Sequence, residues 1–229
     1  MVKNNDFAVH FQTWKNDKAT EFSIQEFRKH FPKNNIRLIS DNGNDYSHFI
    51  EKYNVDFEFS DKNTLPKGRF LEEWQCYEWL RRVNDTCKMY DSKWIVIFED
   101  DVLTQSSNFI EPKFDTAGAV ILEWKPMLSE LLYDRNKKNK NIGYGMCGGT
   151  IFNREVYIDC YDKINQFDIA YLNKYDDRIS KATDSLINCF TQYFGYDYGL
   201  WECVDDITWF PNKSVAKSPC FLHAYKNLY

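Results

Sequence analysis

Three consecutive acids, Glu99, Asp100 and Asp101, follow the apolar run WIVIF at residues 94–98. Neighbouring carboxylates repel one another and resist losing water, so such a cluster is either solvated or arranged around a cation. Mg²⁺ and Mn²⁺ prefer oxygen ligands, and they can bridge carboxylates to a diphosphate. In an extended segment Glu99 and Asp101 point to the same side. The pattern predicts a divalent-cation site, and for three acids alone a solvated loop is the competing interpretation.

The elements around these acids alternate between strands and helices. Apolar runs predict strands at 7–11, 36–40, 56–59 and 94–98, and residues at 70, 74, 77, 80, 83 and 87 form one stripe of a long helix. Further strands are predicted at 117–124 and 200–204, with a helix at 125–133. This alternation is typical of an α/β fold with a largely parallel sheet, in which ligands bind at the carboxyl ends of the strands.

A second acid, Asp41, also lies at a predicted strand end, in the stretch LISDNGNDYS. It either caps a turn or accepts hydrogen bonds from a base or ribose. Asp41 and the 99–101 acids are therefore expected to face one crevice.

The composition limits the classes of protein that the chain can represent. A hydrophobic content of 43% excludes global disorder, and a net charge of -5 argues against a nucleic-acid-binding protein. No stretch approaches the roughly 20 apolar residues of a membrane span, and the first residues lack the apolar run of a signal peptide. Seven cysteines without a C-x-x-C pair fit a reducing compartment. We therefore expect a soluble, cytoplasmic protein, in the host cytoplasm if the source is viral.

Four motifs occur in the order seen in GT-A glycosyltransferases, which this chain resembles. DNGND at 41–45 follows a strand, and FEDD at 98–101 stands where that family has its D-x-D motif. CGGTIFNR at 147–154 is similar to the family's glycine-rich acceptor segment, and TDSLINCFTQYFGY at 183–196 to a helix opened by an acid. The departures are E-D-D in place of D-x-D, HFQTW in the opening strand and Thr183 before the acid. Small, soluble transferases that glycosylate the capsids of large and algal viruses also resemble it.

The resemblance implies a single GT-A-like domain over residues 1–229, with a mostly parallel central sheet flanked by helices. It implies transfer of a sugar from a nucleoside-diphosphate sugar to a hydroxyl of a glycan or glycoprotein. Inversion is predicted from Asp184, since a base that opens a helix on the acceptor side would deprotonate the hydroxyl opposite the departing diphosphate. The implied site comprises Asp184 as catalytic base; Asp41, Lys67, Arg69 and Asp100 for the donor; and Glu99, Asp101 and His223 for Mn²⁺ or Mg²⁺. Taken alone, Asp184 could be a helix N-cap, His223 a structural residue, and Lys67 and Arg69 solvated.

Two other functions remain open at the level of sequence. A sugar-nucleotide nucleotidyltransferase would have a similar sheet, but its glycine-rich phosphate loop is missing from HFQTWKND at 10–17. A non-catalytic carbohydrate-binding module could use Trp124, Tyr144 and Trp201 to stack on sugars, although such aromatics are more often core, and it would not need the acids. The polar segment 134–141 is predicted to be mobile and to order over a bound donor.

Overall fold

The computed structural model describes residues 6–136, 143–145, 148–207 and 215–223. The strands are β1 (Phe7–Thr13), β2 (Ile36–Asp41), β3 (Asp56–Ser60), β4 (Trp94–Phe98), β5 (Val102–Thr104), β6 (Thr116–Gly118), β7 (Ile121–Glu123), β8 (Gly143–Gly145), β9 (Ile151–Asn153), β10 (Tyr198–Leu200), β11 (Val204–Asp206) and β12 (Phe221–His223). The helices are α1 (Asp17–His30), α2 (Phe49–Tyr53), α3 (Glu73–Met89), α4 (Pro126–Asn136), α5 (Arg154–Tyr161), α6 (Ile169–Asn173) and α7 (Thr183–Tyr193).

A seven-stranded sheet in the order β10-β6-β9-β4-β1-β2-β3 forms the centre of the fold. Strands β3, β2, β1 and β4 are parallel neighbours, and only β9 runs antiparallel to both of its partners. The α/β fold with a mostly parallel sheet is therefore confirmed. Because β1, β2 and β4 are parallel, their carboxyl ends share one edge, where ligands bind in such folds.

The sheet separates two hydrophobic cores. Ile95 and Ile97 of β4 face the core under α3, α5 and α7, whereas Trp94, Val96 and Phe98 face the core under α1 and the small sheet β11-β12-β5. This alternation is why the strand reads as an uninterrupted apolar run in the sequence. The acids begin at Glu99, directly after the last buried residue of β4, Phe98.

Helix α7 is buried along nearly its whole length. Every residue from Asp184 to Tyr193 is buried, so this helix lies within the core and not on a solvent-facing surface. Its first turn contacts the first of the acids after β4: the Thr183 hydroxyl donates a hydrogen bond to Glu99 at 3.4 Å.

The short elements differ from those predicted. The single strand predicted at 117–124 is two strands, β6 and β7, which belong to different sheets. The strand predicted at 200–204 is replaced by β10 and β11, and β5, α5 and β12 were not predicted. Three-residue strands are too short to show a period, so their sequence signal cannot be separated from that of a loop.

A buried ion pair joins α3 to the end of β2. Arg82 donates from Nη1 to Asp41 at 2.6 Å and from Nη2 to Ser60 at 2.6 Å and to the Lys62 carbonyl at 3.0 Å. The Arg82 side chain is fully buried and that of Asp41 is 4% exposed. The pair therefore fixes the loop after β3 against the sheet edge.

We expect Arg82→Met to lower the free energy of unfolding by about 3–5 kcal/mol, because the Asp41 carboxylate would stay buried without its cationic partner. Arg81→Met is the matched control, since the Arg81 side chain is 44% exposed in its pairs with Glu78 and Asp85. That change should cost about 0–1 kcal/mol. Urea unfolding followed by circular dichroism measures both. Equal losses for the two variants would contradict a structural role for the Arg82–Asp41 pair.

Candidate active site

Two acids and a distant histidine come together beyond the carboxyl end of β4. Each of Glu99, Asp101 and His223 offers one possible ligand atom, and these three atoms lie within 4.8 Å of one another. The histidine arrives through β12, which pairs antiparallel with β5 so that His223 lies opposite Val102. Its Nε2 is 3.8 Å from Asp101 Oδ1. The structure thus brings together the three residues that the sequence analysis assigned to a metal.

Asp206 orients the histidine from the other side of the ring. In the parallel pair β11–β12, Asp206 is the register partner of His223, and its carboxylate is 3.0 Å from His223 Nδ1. Asp206 is fully buried. A carboxylate on one imidazole nitrogen directs the other nitrogen toward a metal, as in many protein metal sites. Sequence analysis missed this residue because the pairing depends on the register of two three-residue strands.

The electrostatic surroundings of His223 favour its protonated form. Burial of the ring lowers the pKa, but the hydrogen bond with Asp206 and the charges of Asp101 and Glu99 outweigh it. The pKa of His223 is therefore raised above its usual value. The cluster attracts positive charge at this position, and a cation bound there would take the place of the imidazole proton.

The glycine-rich segment before β9 packs directly against the cluster. A Cβ on Gly148 would lie 2.3 Å from Val102 Cγ2 and 3.0 Å from His223 Cδ2. Gly149 has a φ of 96° and donates its N–H to the Ile97 carbonyl at 2.6 Å. Glycine is therefore needed here so that the backbone can pass beneath the histidine. Cys147, at the start of this motif, lies outside the described residues.

Asp184 lies in the first turn of α7 and is not its N-cap. Ala182 occupies the cap position with an extended backbone, so the interpretation of Asp184 as a cap is wrong. Asp184 is buried, and it follows Thr183, the residue that hydrogen bonds to Glu99. Partial positive charge at a helix N-terminus stabilises a carboxylate in the first turn. The acid is therefore adjacent in the chain to a residue that contacts the cluster.

The donor set fits a divalent transition-metal cation. Two carboxylates and one imidazole are a ligand combination that Mn²⁺ accepts, whereas Mg²⁺ is bound mainly through oxygen. Thr183 hydrogen bonds to Glu99, and Asp206 hydrogen bonds to His223. Two of the three side chains are therefore oriented by residues that are not themselves proposed metal ligands. The arrangement can hold a cation at the edge where a ligand of an α/β sheet binds.

Asp41 has a different role from the one predicted. Its carboxylate accepts the backbone N–H groups of Thr64 and Leu65 and the Nη1 of Arg82. With 3% of its surface exposed, it has little contact area left for a base or ribose. Asp41 therefore positions the loop that follows β3, and any effect it has on a ligand passes through that loop.

The other predicted donor residues are accessible. Lys67 and Arg69 are exposed in and just after the 3₁₀ turn Pro66–Gly68, and in the described part of the chain neither forms an ion pair. Asp100 is half-buried between the two acids of the cluster. Contact of these three residues with a donor stays a prediction.

Several other expectations concern residues away from the cluster. Trp124 and Trp201 are 3% and 1% exposed, so they are core residues, the more common role for such aromatics, and are not available to stack on sugars. The side chain of Tyr144 and residues 137–141 of the predicted mobile segment lie outside the described residues.

The six cysteines for which the structure gives side chains are buried free thiols. Within the described ranges, no helix combines the length and apolar character needed to cross a membrane.

Comparisons with known proteins support the architecture. No protein-family model matches the chain, and no curated protein does either. A similar solved structure is that of the galactosyltransferase LgtC in complex with donor and acceptor sugar analogues. The two share 14% identity with a TM-score of 0.54 over 94% of this chain and 86% of that one. This similarity is one of fold, and the chain has the GT-A fold that its motif order implied.

We expect Asp206→Asn to weaken Mn²⁺ binding by about 10–100-fold, because the neutral amide holds His223 less firmly and makes the ring less basic. The control is Asp205→Asn, which removes the same charge one residue earlier, on the opposite face of β11. Titration calorimetry with Mn²⁺ measures both affinities, and circular dichroism checks that both variants are folded. If the two substitutions weakened binding equally, net charge and not the orientation of His223 would explain the affinity.

Proposed function

We propose that this chain is a metal-dependent glycosyltransferase that moves a sugar from a nucleoside-diphosphate sugar to a hydroxyl of a glycan or glycoprotein acceptor. The observation that carries the proposal is the convergence of Glu99, Asp101 and His223 at the carboxyl edge of a GT-A fold. A carbohydrate-binding module would not require such a cluster. The six buried thiols suit a reducing compartment, and we assign the reaction to the cytoplasm.

The cluster would hold Mn²⁺ or Mg²⁺, with Mn²⁺ favoured by the imidazole ligand. When bound, the cation neutralises charge that develops on the leaving diphosphate. Thr183 and Asp206 keep Glu99 and His223 in place. Asp100, Lys67 and Arg69 are assigned to the donor, and the two cations at the exposed turn suit its phosphates.

Asp184 is assigned the role of general base. Its carboxylate takes the proton of the acceptor hydroxyl while that oxygen forms a bond to the anomeric carbon of the donor sugar. The bond from this carbon to the diphosphate oxygen breaks at the same time, and the nucleoside diphosphate leaves with the electron pair. Asp184 lies in the first turn of α7, directly after Thr183, whose hydroxyl hydrogen bonds to Glu99.

An acid in this position supports inversion of the anomeric carbon. The base activates the incoming hydroxyl on one face, and the diphosphate leaves toward the metal ligands on the other. This is a single in-line displacement, which inverts the configuration. The fold alone does not determine this outcome, so the assignment rests on the role of Asp184.

A thermal-shift screen of UDP-, GDP-, TDP- and CMP-sugars, with and without Mn²⁺, tests the proposal. At least one donor should raise the melting temperature, and Mn²⁺ should increase the shift, because ligand binding to the native state stabilises it. Asp101→Ala should abolish the increase in melting temperature that depends on Mn²⁺, while Asp205→Asn should retain this increase. The proposal fails if no donor gives a metal-dependent shift, or if Asp101→Ala responds like the parent protein.

Asp184→Asn tests the general base. The variant should lose turnover by roughly 10²–10⁴-fold and keep donor affinity, because the side chain acts on the acceptor proton. NMR of the product gives the anomeric configuration, which we expect to be opposite to that of the donor. Near-normal turnover of the variant, or retention of configuration by the parent protein, would contradict the mechanism.

A further inference from the structure

Two cysteines precede the two strands that carry Asp206 and His223. Cys203 lies directly before β11 and Cys220 directly before β12, each three residues before the residue that its strand brings to the cluster. Both side chains are buried. The proposed sugar transfer uses neither thiol, so the position of this pair calls for a separate explanation.

Strand register places the two cysteines opposite each other. Val204 pairs with Phe221 in the parallel ladder of β11 and β12, and the Phe221 N–H donates to the Cys203 carbonyl at 2.9 Å. One residue earlier in the same register, Cys203 faces Cys220. Neighbouring strands lie about 4.8 Å apart, and disulfides join residues whose Cα atoms are about 4.4–6.8 Å apart. A bond between the two sulfurs is therefore compatible with the observed register.

The two thiols also interact directly. A hydrogen bond from Cys203 lowers the pKa of the Cys220 thiol, and the Ser106 hydroxyl, 3.9 Å from Cys220 Sγ, acts in the same direction. The same thiol–thiol hydrogen bond raises the pKa of Cys203. The thiolate is the form of cysteine that attacks oxidants. Cys220 is therefore the nucleophile of the pair, and Cys203 is its hydrogen-bond donor.

The thiols elsewhere in the core are in a different environment. Burial is the largest cause of the raised pKa of four of them, Cys76, Cys87, Cys160 and Cys189. Such thiols stay protonated and pack as small apolar side chains. Among the six cysteines whose side chains are described, Cys220 alone has a lowered pKa.

A surface segment covers the pair. Cys203 Sγ accepts the N–H of Ile110 at 2.9 Å, and Ser106 lies against Cys220. Asn108 and Ile110 of this segment are exposed. Because the chain over the sulfurs is itself at the surface, a local opening of this segment is enough to admit an oxidant as small as hydrogen peroxide.

We propose that Cys203 and Cys220 are a modification site, a dithiol that hydrogen peroxide converts into a reversible disulfide between β11 and β12. The bond ties the two strands together three residues before Asp206 and His223, and it restricts their separation when the chain unfolds. This inference is independent of the proposed sugar transfer.

The reaction removes two electrons from the pair. The Cys220 thiolate attacks one peroxide oxygen, so that an S–O bond forms while the O–O bond breaks, and the departing hydroxide takes up the proton that Cys220 released. The Cys203 sulfur then attacks the sulfenic sulfur of Cys220. The S–S bond forms, the S–O bond breaks, and the oxygen leaves as a second water with the Cys203 proton. A small thiol such as glutathione reduces the disulfide by exchange.

Mass spectrometry of the folded protein after peroxide treatment tests the proposal. We expect an intact mass about 2 Da lower, a non-reduced digest in which the peptides of Cys203 and Cys220 are joined, and reversal of both by dithiothreitol. Labelling of the remaining thiols with N-ethylmaleimide after unfolding should show them unoxidised. The proposal is overturned if this linkage does not form, if either cysteine pairs with another one instead, or if the other buried thiols oxidise as fast.

Two serine variants test the order of attack. In Cys203→Ser the serine hydroxyl still donates to the Cys220 sulfur, so oxidation should stop at a sulfenic acid that dimedone captures. In Cys220→Ser the nucleophile is missing, and dimedone labelling of Cys203 should be about tenfold lower or less. Cys189→Ser is the matched control and should form the disulfide as the parent protein does. Equal labelling of the two variants overturns the assignment of Cys220 as the nucleophile. Circular dichroism checks folding, and the mapping of the parent protein decides the proposal if a variant does not fold.

Discussion

Mutual repulsion of carboxylates at the end of β4 is the constraint on which the site depends. Glu99, Asp101 and Asp206 surround one buried imidazole, and Asp101 and Asp206 are themselves buried. Like charges at such short range destabilise the fold unless positive charge lies among them. The hydrogen bond with Asp206 and the nearby carboxylates raise the pKa of His223, and a divalent cation would compensate the same negative charge.

The surrounding elements can be understood as supports for this cluster. The small sheet β11-β12-β5 delivers His223 and Asp206 in register, and Gly148 leaves the space that the histidine ring needs. The buried helix α7 directs its first turn at Glu99. At the end of β2, the buried ion pair between Asp41 and Arg82 of α3 fixes the loop that leads to Lys67 and Arg69. Hydrogen bonds and close packing thus hold several of the described residues around the cluster in place.

The sequence was sufficient to predict the central sheet, and the three residues that it assigned to a metal lie close together in the structure. Its failures have physical reasons. The first strand contains the apolar run FAVHF and β4 is the apolar run WIVIF, and Glu99 and Asp101 come directly after β4, so local pattern was enough there. Placing His223 in the same site required the order of the motifs, because no local signal joins residue 223 to residue 99. Asp206 could not be found, since its role comes from strand register. Asp41 was assigned to a ligand because the pattern does not show that Arg82 of α3 would form a buried ion pair with it.

Pulsed electron paramagnetic resonance of bound Mn²⁺ shows whether His223 ligates the metal, because it detects nitrogen in the first coordination shell. We expect ¹⁴N modulation from one imidazole in the parent protein, and loss of this modulation with weaker Mn²⁺ binding in His223→Gln. A histidine outside the cluster serves as the control, since His30→Gln should keep the signal. Mn²⁺ bound tightly without nitrogen coupling, or coupling that persists in His223→Gln, would contradict the assignment of Glu99, Asp101 and His223 as the metal site.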